Sequence, residues 1–190
     1  MSSLPNADHT PPWPPVPACY GWLSLDRRGN WRLKDEPVLH DGLNRFIGQR
    51  YTPQTDGCWI VRNGPQKVFV TLAYLPWVLR TQPGGRLLTH TGLEIGAINA
   101  VFLDDEGNLL CDTPIGPGLV DDRDLAALLS ECTTHDDRRA SDEALLAALQ
   151  GTVSLYWRGH RLSLIRRADV PARFGFQPQP QPPERDDAAR

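Results

Sequence analysis

Histidine, cysteine and the carboxylates are the side chains that most often carry chemistry, and in this 190-residue chain their spacing matches no familiar site. None of the five histidines is spaced with another histidine or with a cysteine as a zinc-binding pair. The acidic runs at 104–106 and 121–124 lack the ligand spacing of a calcium loop, whereas a solvated turn and a helix start account for them. We therefore predict no metal site and no cofactor.

Nucleophilic and phosphate-binding motifs are also missing from the sequence. It contains no glycine-rich phosphate loop and no Gly-x-Ser-x-Gly elbow. Cys58 stands beside Trp59 at the start of a predicted strand, where we expect a packed thiol rather than a nucleophile. A nucleophilic cysteine needs a nearby histidine or cation that lowers its pKa. The catalytic residues, if the chain has any, stay unknown from the sequence.

Three tryptophans and one histidine are candidates for a binding surface. Trp31, Trp59 and Trp77 lie in or beside predicted hairpins, and His90 alternates with apolar neighbours along a predicted strand. Because tryptophan has a large area to bury, core packing accounts for most of these rings. Rings exposed together would instead mark a ligand or partner surface. His90 points either into a pocket or to the surface.

The positive charge near the carboxyl end is carried by arginine, since the chain has only Lys34 and Lys67 as lysines. Arginine forks suit carboxylates and phosphates, so Arg158, Arg161 and the intervening His160 are candidates for binding a small anionic metabolite or a protein partner. The alternative is that these arginines neutralise the acidic helices predicted between residues 121 and 143.

Composition restricts the possible partners and the compartment. The formal net charge of −3 and a pI near 5.9 argue against a dedicated nucleic-acid binder. The sequence shows no secretory signal and no apolar run near ~18 residues, so we expect no membrane span. Four scattered cysteines without a Cys-x-x-Cys pair favour a reduced, cytoplasmic setting.

Proline placement predicts the domain boundaries. Ten of the 18 prolines lie near the two ends, so residues 1–18 and 177–190 are predicted to be disordered arms. The Pro-Gly-Gly linker at 81–85 separates a first half, 19–80, from a second half, 86–176.

Turn signals predict a hairpin-rich fold. In the central stretch, 57–76, two β-rich runs flank Asn63-Gly64-Pro65, which indicates a hairpin. Because Pro65 cannot donate to the ladder, we expect a loop longer than two residues. Further hairpins are predicted near 20–33, 95–111 and 153–165, and a short amphipathic helix is predicted from Val38 to Arg50.

The order of predicted elements is similar in the two halves. Each has a hairpin, then helix, then a second hairpin, and the run 25–31 matches 103–109 at its Leu, Asp, Gly and Asn positions. We predict an α+β fold of two similar halves, each a ββαββ-like repeat. Turn chemistry shared by unrelated hairpins is the alternative explanation of the match.

Several of these motifs together resemble an uncharacterised proteobacterial family, domain of unknown function 1285. The resemblance runs from about residue 20 to residue 176 and is carried by Asp26 to Trp31, Leu43, Phe46, Asp56-Gly57-x-Trp59, Val68 to Val70 and Trp157 to Gly159. The resemblance implies repeated αβ motifs and a signalling or ligand-sensing role without established enzyme activity. The family supplies no catalytic residues. The loop 113–118 and the two-helix region depart from its pattern.

The absence of catalytic motifs and this resemblance favour a non-enzymatic module for ligand sensing or protein interaction. One alternative is an enzyme whose site is assembled between the halves from His90, Asp112, Arg158 and His160. Another is a structural homodimer joined through sheet edges.

Overall fold

Two β-sheets with short helices form the α+β fold that the sequence predicts; the computed structural model describes residue 14 and residues 16–183. The first sheet contains β1 (Ala18–Leu25), β2 (Trp31–Leu33), β3 (Glu36–Pro37), β4 (Tyr51–Pro53), β5 (Trp59–Asn63) and β6 (Gln66–Leu72). The second contains β7 (Trp77–Thr81), β8 (Leu87–Thr89), β9 (Ala100–Asp104), β10 (Leu109–Asp112), β11 (Gly118–Val120), β12 (Tyr156–Trp157) and β13 (His160–Ile165). In this part of the chain the helices are α1 (Asp41–Arg50), α2 (Asp122–Leu129), α3 (Asp142–Leu149) and α4 (Val170–Phe174), and α4 follows a 3-10 turn at Arg167–Asp169.

Each sheet contains a parallel pair that joins an early strand to a late one, and the second sheet has a further parallel pair, β7 with β11. The first sheet has the order β3-β2-β1-β6-β5-β4 and the second β12-β13-β9-β10-β11-β7-β8. The first strand of an early hairpin pairs in parallel with the last strand of a later one, as β1 does with β6 and β9 does with β13. A parallel pair needs a long connection, which contains α1 in the first sheet and α2 and α3 in the second.

The turns of the β1–β2 and β9–β10 hairpins have matching hydrogen bonds. In each turn the aspartate Oδ1, of Asp26 or Asp104, accepts the backbone N–H groups of the residues two and four positions later. Gly29 and Gly107 occupy the same place in the two turns, at φ +80° and φ +83°. The matched sequence runs therefore form matched Asx turns, while the full ββαββ repeat stays a prediction.

The loop of the central hairpin is shorter than the sequence predicts. Asn63 pairs with Gln66, so the loop is the two residues Gly64 and Pro65, and the prediction of a longer loop is wrong. Gly64 has φ +58° and proline fixes φ near −65°, which are the values of a type II′ turn. Pro65 is compatible with this tight turn because it lies in the loop, where no ladder donor is needed.

Helix α1 begins at Asp41, three residues after the predicted start. Nδ1 of the N-cap residue His40 accepts the N–H of Leu43 at 3.1 Å, which satisfies one of the free donors of the first turn. Ile47 is buried, and Leu43 and Phe46 pack against the main core. Arg45 and Gln49 lie on the exposed side of α1.

The ends of the described chain pack on the first sheet. The predicted tail starts at Gln177, yet Gln177 donates its N–H to Gly57 O at 2.9 Å and Pro178 O accepts from Leu72 N at 2.8 Å. At the other end, Gln66 Nε2 donates to Pro14 O at 2.6 Å. The remaining residues of the predicted arms, 1–13, 15 and 184–190, lie outside the described residues.

Strand β7 is relevant to the predicted boundary at 81–85. It ends the predicted first half, but its hydrogen bonds join it to β11 and β8 in the second sheet. The boundary itself stays a prediction.

None of the helices in residues 14 and 16–183 has both the length and the apolar composition that a membrane span needs. The four cysteines are free and buried.

Candidate functional site

Four of the predicted binding residues meet in one aromatic cluster, which we define as Trp31, Tyr51, Trp59, Trp77 and His90. The ring of Tyr51 lies 5.0 Å from Trp31, 4.8 Å from Trp59 and 5.1 Å from Trp77, measured between centroids. His90 lies 5.2 Å from Trp31 and 5.6 Å from Trp77. The cluster joins the sheets, because β2, β4 and β5 supply three of its rings and β7 and the turn after β8 supply two.

The tryptophans of the cluster are buried, not exposed. Trp31, Trp59 and Trp77 are each no more than 4% exposed, and Trp77 Nε1 donates to Ile115 O at 2.7 Å. Tyr51 Oη donates to Pro76 O at 3.0 Å. Rings buried this deeply form a packing core, so these tryptophans do not form an exposed binding surface.

His90 holds a fixed, neutral position in this cluster. Its Nδ1 accepts the N–H of Val78 at 3.3 Å, which places the proton on Nε2. Nε2 is buried, and no acceptor among the described residues pairs with it. Burial lowers the pKa of His90 to about 3. Because general acid–base catalysis needs a pKa near the working pH, His90 is suited to packing and orientation.

A cavity of about 430 Å³ opens beside the cluster. Its size falls within the usual range of small-molecule pockets, roughly 300–1,000 Å³. The walls come from residues 29–31 of the β1–β2 turn, residues 44, 45, 48 and 49 of α1, and residues 90, 91 and 93 after β8. Elements of both sheets therefore line one cavity.

Two glycines set the spacing of the cavity walls. A Cβ at Gly29 would lie 2.5 Å from the Cβ of His90, so only glycine allows the β1–β2 turn this close to His90. A Cβ at Gly48 would lie 3.2 Å from Thr91 Cγ2, so this helical glycine lets α1 approach the turn after β8. Through these two glycines the β1–β2 turn and α1 both lie close to the turn after β8.

The polar groups of the cavity carry one positive charge and several acceptor oxygens. Arg45 is exposed and makes no hydrogen bond or ion pair with another described residue. Asn30 Nδ2 donates to Asp26 Oδ2 at 2.9 Å, and Asn44 Nδ2 donates to Val38 O at 2.9 Å. Within the described chain the side-chain oxygens of both asparagines accept no hydrogen bond. No aspartate or glutamate lines the cavity there.

The three remaining predicted residues lie elsewhere, on the β12–β13 hairpin. Arg158 donates through Nε to Glu131 Oε2 at 2.9 Å and through Nη1 to Gly85 O at 2.7 Å. Arg161 donates to Ser154 Oγ at 2.9 Å, and His160 pairs with Trp157 across the hairpin. For Arg158 the structure supports the alternative interpretation, since Glu131 lies in the acidic region predicted to be neutralised.

The residues of the enzyme hypothesis do not form a hydrogen-bonded group. In the described chain, no hydrogen bond joins any two of the side chains of His90, Asp112, Arg158 and His160. Residues 14 and 16–183 also contain no group of three or more metal-ligating side chains. Cys58 is buried, and desolvation followed by the nearby Asp56 carboxylate raises its pKa to about 11, so its thiol is packed and unreactive.

Sequence reasoning missed the residues of α1 that line the cavity. The amphipathic pattern identifies the buried face of the helix, and polar residues on the other face look like ordinary solvated positions. Arg45 and Gln49 are spaced four apart, which places them on one helical face. That spacing is the only local signal, and it is common on solvated helices.

Comparison with known proteins gives a family and a fold. The family model DUF2944, described as "Protein of unknown function (DUF2946)", matches residues 8–181. The structure is similar to a DUF1285 family protein from Silicibacter pomeroyi DSS-3, with 14% identity, coverage of 83% of this chain and 86% of that one, and a TM-score of 0.53. A DUF1285 family protein from Shewanella baltica OS155 gives 15% identity, 56% and 88% coverage and a TM-score of 0.42.

These likenesses are limited to architecture. At 14% identity the Silicibacter protein shows the fold alone, and at that level the resemblance predicted from the sequence is confirmed. No curated protein is significantly similar to the chain in sequence.

Proposed function

The chain belongs to the protein family of unknown function DUF2944, and from this premise we propose that it is a non-enzymatic module that senses a small molecule. The proposed ligand site is the cavity between α1, the β1–β2 turn and the turn after β8. One observation carries the proposal: a cavity of about 430 Å³ has walls from both sheets and a guanidinium, that of Arg45, at its side.

A ligand in this position couples the two sheets. It would contact Asn30 and Trp31 on the first sheet and Thr91 on the segment that follows the second sheet's β8. A ligand shifts a conformational equilibrium by as much as its affinity differs between the two states. Because both walls must be in place to bind it, the ligand favours the arrangement in which the sheets are docked, and this is a means of sensing.

The groups around the cavity favour binding over turnover. His90 is neutral at physiological pH because burial lowers its pKa to about 3, and Arg45 stays charged. Among the described lining residues there is no carboxylate or thiol to act as a base or nucleophile. The alternative of an enzyme assembled between the halves gains no support from this cavity.

We also propose that the two sheets descend from a duplicated ββαββ unit. The proposal is supported by the matching parallel pairs, β1 with β6 and β9 with β13, and by the matching turns at Asp26 and Asp104. Residues 81–85 would then connect the copies, and β7 would cross from the first copy into the second sheet, where it pairs with β11 and β8.

We further propose a cytoplasmic setting, which the free, buried cysteines support.

A thermal-shift screen of metabolites with a matched pair of variants tests the sensing proposal. A ligand at about 100 times its Kd adds about 2.7 kcal/mol to stability, which is measurable. Leu93 lines the cavity, so Leu93→Trp should fill it and remove the shift. Leu146→Trp, an equal change at an exposed site on α3, should leave the shift intact. A shift that persists in L93W, or no shift with any compound, would overturn the proposal.

A protein partner is the second candidate, favoured by exposed apolar side chains on α3 and on β13 of the second sheet. Leu146 is 62% exposed and Leu164 is 47% exposed. Leu164, Val153 and the predicted residue Arg161 line a groove of about 270 Å³, and such a patch is typical of an interaction surface. If this surface binds a protein, Leu146→Glu with Leu164→Glu should abolish the complex while leaving metabolite binding unchanged.

A further inference from the structure

We propose that the ligand of this cavity is a small monocarboxylate that also carries hydroxyl or N–H groups, and that its carboxylate binds Arg45. This inference rests on the proposed function, because it concerns the chemistry of the ligand at the same site. It depends on three features of the cavity: the unpaired guanidinium, the single positive charge and the orientation of two asparagines.

The first feature is the state of Arg45. Several other arginines form ion pairs with carboxylates, as Arg158 does with Glu131 and Arg167 with Glu106. Arg45 has no such partner among the described residues, although Asp41 precedes it by one helical turn. A planar guanidinium forms two parallel hydrogen bonds to a carboxylate. At the wall of a cavity without acidic residues, it is available to a ligand carboxylate.

The second feature is that the described lining supplies one formal positive charge. His90 is neutral, and no lysine or second arginine lines the cavity. The start of α1 does not add an anion site, because Leu43 N–H is capped by His40 and Asp41 places a carboxylate in the first turn. A phosphate monoester carries close to two negative charges at neutral pH. One cation therefore suits a monocarboxylate better than a phosphate or a nucleotide.

The third feature is the hydrogen bonding of Asn30 and Asn44. Each side chain donates an amide N–H within the protein, Asn30 to the Asp26 carboxylate and Asn44 to Val38 O. Their oxygens, without a donor among the described residues, accept hydrogen bonds from a ligand. Hydroxyl and N–H groups supply those donors, while Trp31 and Leu93 in the same lining offer apolar contact to a carbon skeleton. Hydroxy acids, amino acids and acylamino acids combine these groups.

Calorimetry with isosteric probe pairs tests this chemistry. The probes are lactate, glycerate, serine and N-acetylserine, each beside its primary amide, together with glycerol phosphate and inorganic phosphate. We expect at least one carboxylate to bind, and its amide to bind at least tenfold more weakly. Arg45→Gln should weaken carboxylate binding at least tenfold while the amide is unaffected. Arg62→Gln is the matched control, since Arg62 is also exposed and unpaired within the described chain.

The outcomes separate this inference from the proposed function. If an amide or a phosphate binds as tightly as the carboxylate, and Leu93→Trp abolishes that binding, the ligand class is wrong and the sensing site stands. If no probe binds, the monocarboxylate inference fails, while the wider metabolite screen still decides the sensing proposal. If R45Q and R62Q weaken binding equally, the carboxylate does not lie on Arg45 and the inference fails.

Discussion

His90 accepts the backbone N–H of Val78 through Nδ1 at 3.3 Å, across 12 residues of chain. This bond leaves the proton on Nε2, which is buried beside Trp31, Tyr51 and Trp77. The imidazole is therefore held neutral at the junction of the two sheets, and its protonation would place a charge among aromatic rings. His90 also lies against Gly29 of the β1–β2 turn and lines the cavity.

Stability should fall as the pH drops below the normal histidine range. Burial lowers the folded pKa of His90 to about 3, against about 6.5 in the unfolded chain. Its stabilising contribution is thus present above pH 6.5 and is lost as the pH falls towards 3. Between pH 7.5 and pH 5 the loss is about 2 kcal/mol. Urea unfolding of the wild type should show this loss, and His90→Gln should lack it. Equal losses in the two proteins would show that His90 is not responsible.

Alanine at Gly29 should destabilise the protein more than alanine at the equivalent turn position, Gly107. Both glycines have positive φ, which costs a residue with a Cβ roughly 1–2 kcal/mol. Only at Gly29 would the new Cβ meet a neighbour, the Cβ of His90 at 2.5 Å, whereas nothing lies within 4 Å at Gly107. Overpacking adds about 1–3 kcal/mol. Chemical denaturation of the two variants measures the difference, and equal costs would contradict the close contact.

Removing the hydroxyl of Tyr74 should cost more than removing that of Tyr20. Tyr74 Oη donates to the buried carboxylate of Asp104 at 2.6 Å, and hydrogen bonds to charged groups contribute about 1.5–3 kcal/mol. Tyr20 makes no hydrogen bond through its hydroxyl within the described residues and stacks on Phe69. We expect Tyr74→Phe to lower the unfolding free energy by about that amount and Tyr20→Phe to leave it nearly unchanged. A similar effect of both changes would argue against the Tyr74–Asp104 bond.

The four thiols should react only when the protein unfolds. All are buried, and desolvation raises the pKa of Cys58 and Cys132 to about 11 and that of Cys111 to about 12. Since the thiolate is the reactive form, Ellman's reagent should label the native protein very slowly. Labelling in guanidinium chloride gives the full count as the control. Fast reaction of any thiol in native buffer would show that its site opens readily.

Local chemistry made several elements predictable from the sequence. Asp26 and Asp104 form Asx turns because an aspartate side chain bonds the backbone within its own turn. The Arg158-Gly159 turn was indicated by its glycine, which adopts positive φ without a steric cost; Arg158 also has positive φ, although residues with a Cβ are disfavoured there. The central hairpin was predicted but its loop length was not, because the effect of Pro65 depends on whether its missing N–H falls in the loop or in the ladder.

The candidate site was predictable only in part. Trp31, Trp59, Trp77 and His90 were identified by residue type, and they do lie together. Their role as buried packing, and the adjacent cavity with Arg45, depend on contacts between segments that are distant in the chain. A solvent-exposed helix face and a cavity wall have the same pattern of polar residues in the sequence. The sequence therefore could not show that Arg45 lines a cavity.

By itself the sequence determined the α+β class, the positions of the hairpin turns and the helix in the first half, since each depends on residues within a few positions of one another. Tertiary structure alone decided that β1 lies in parallel beside β6, that β7 joins the second sheet, and that α1 faces the turn after β8. Such pairings are stabilised by burial and by backbone hydrogen bonds, which most sequences can form. Which strands meet is therefore settled by the packing of the whole core.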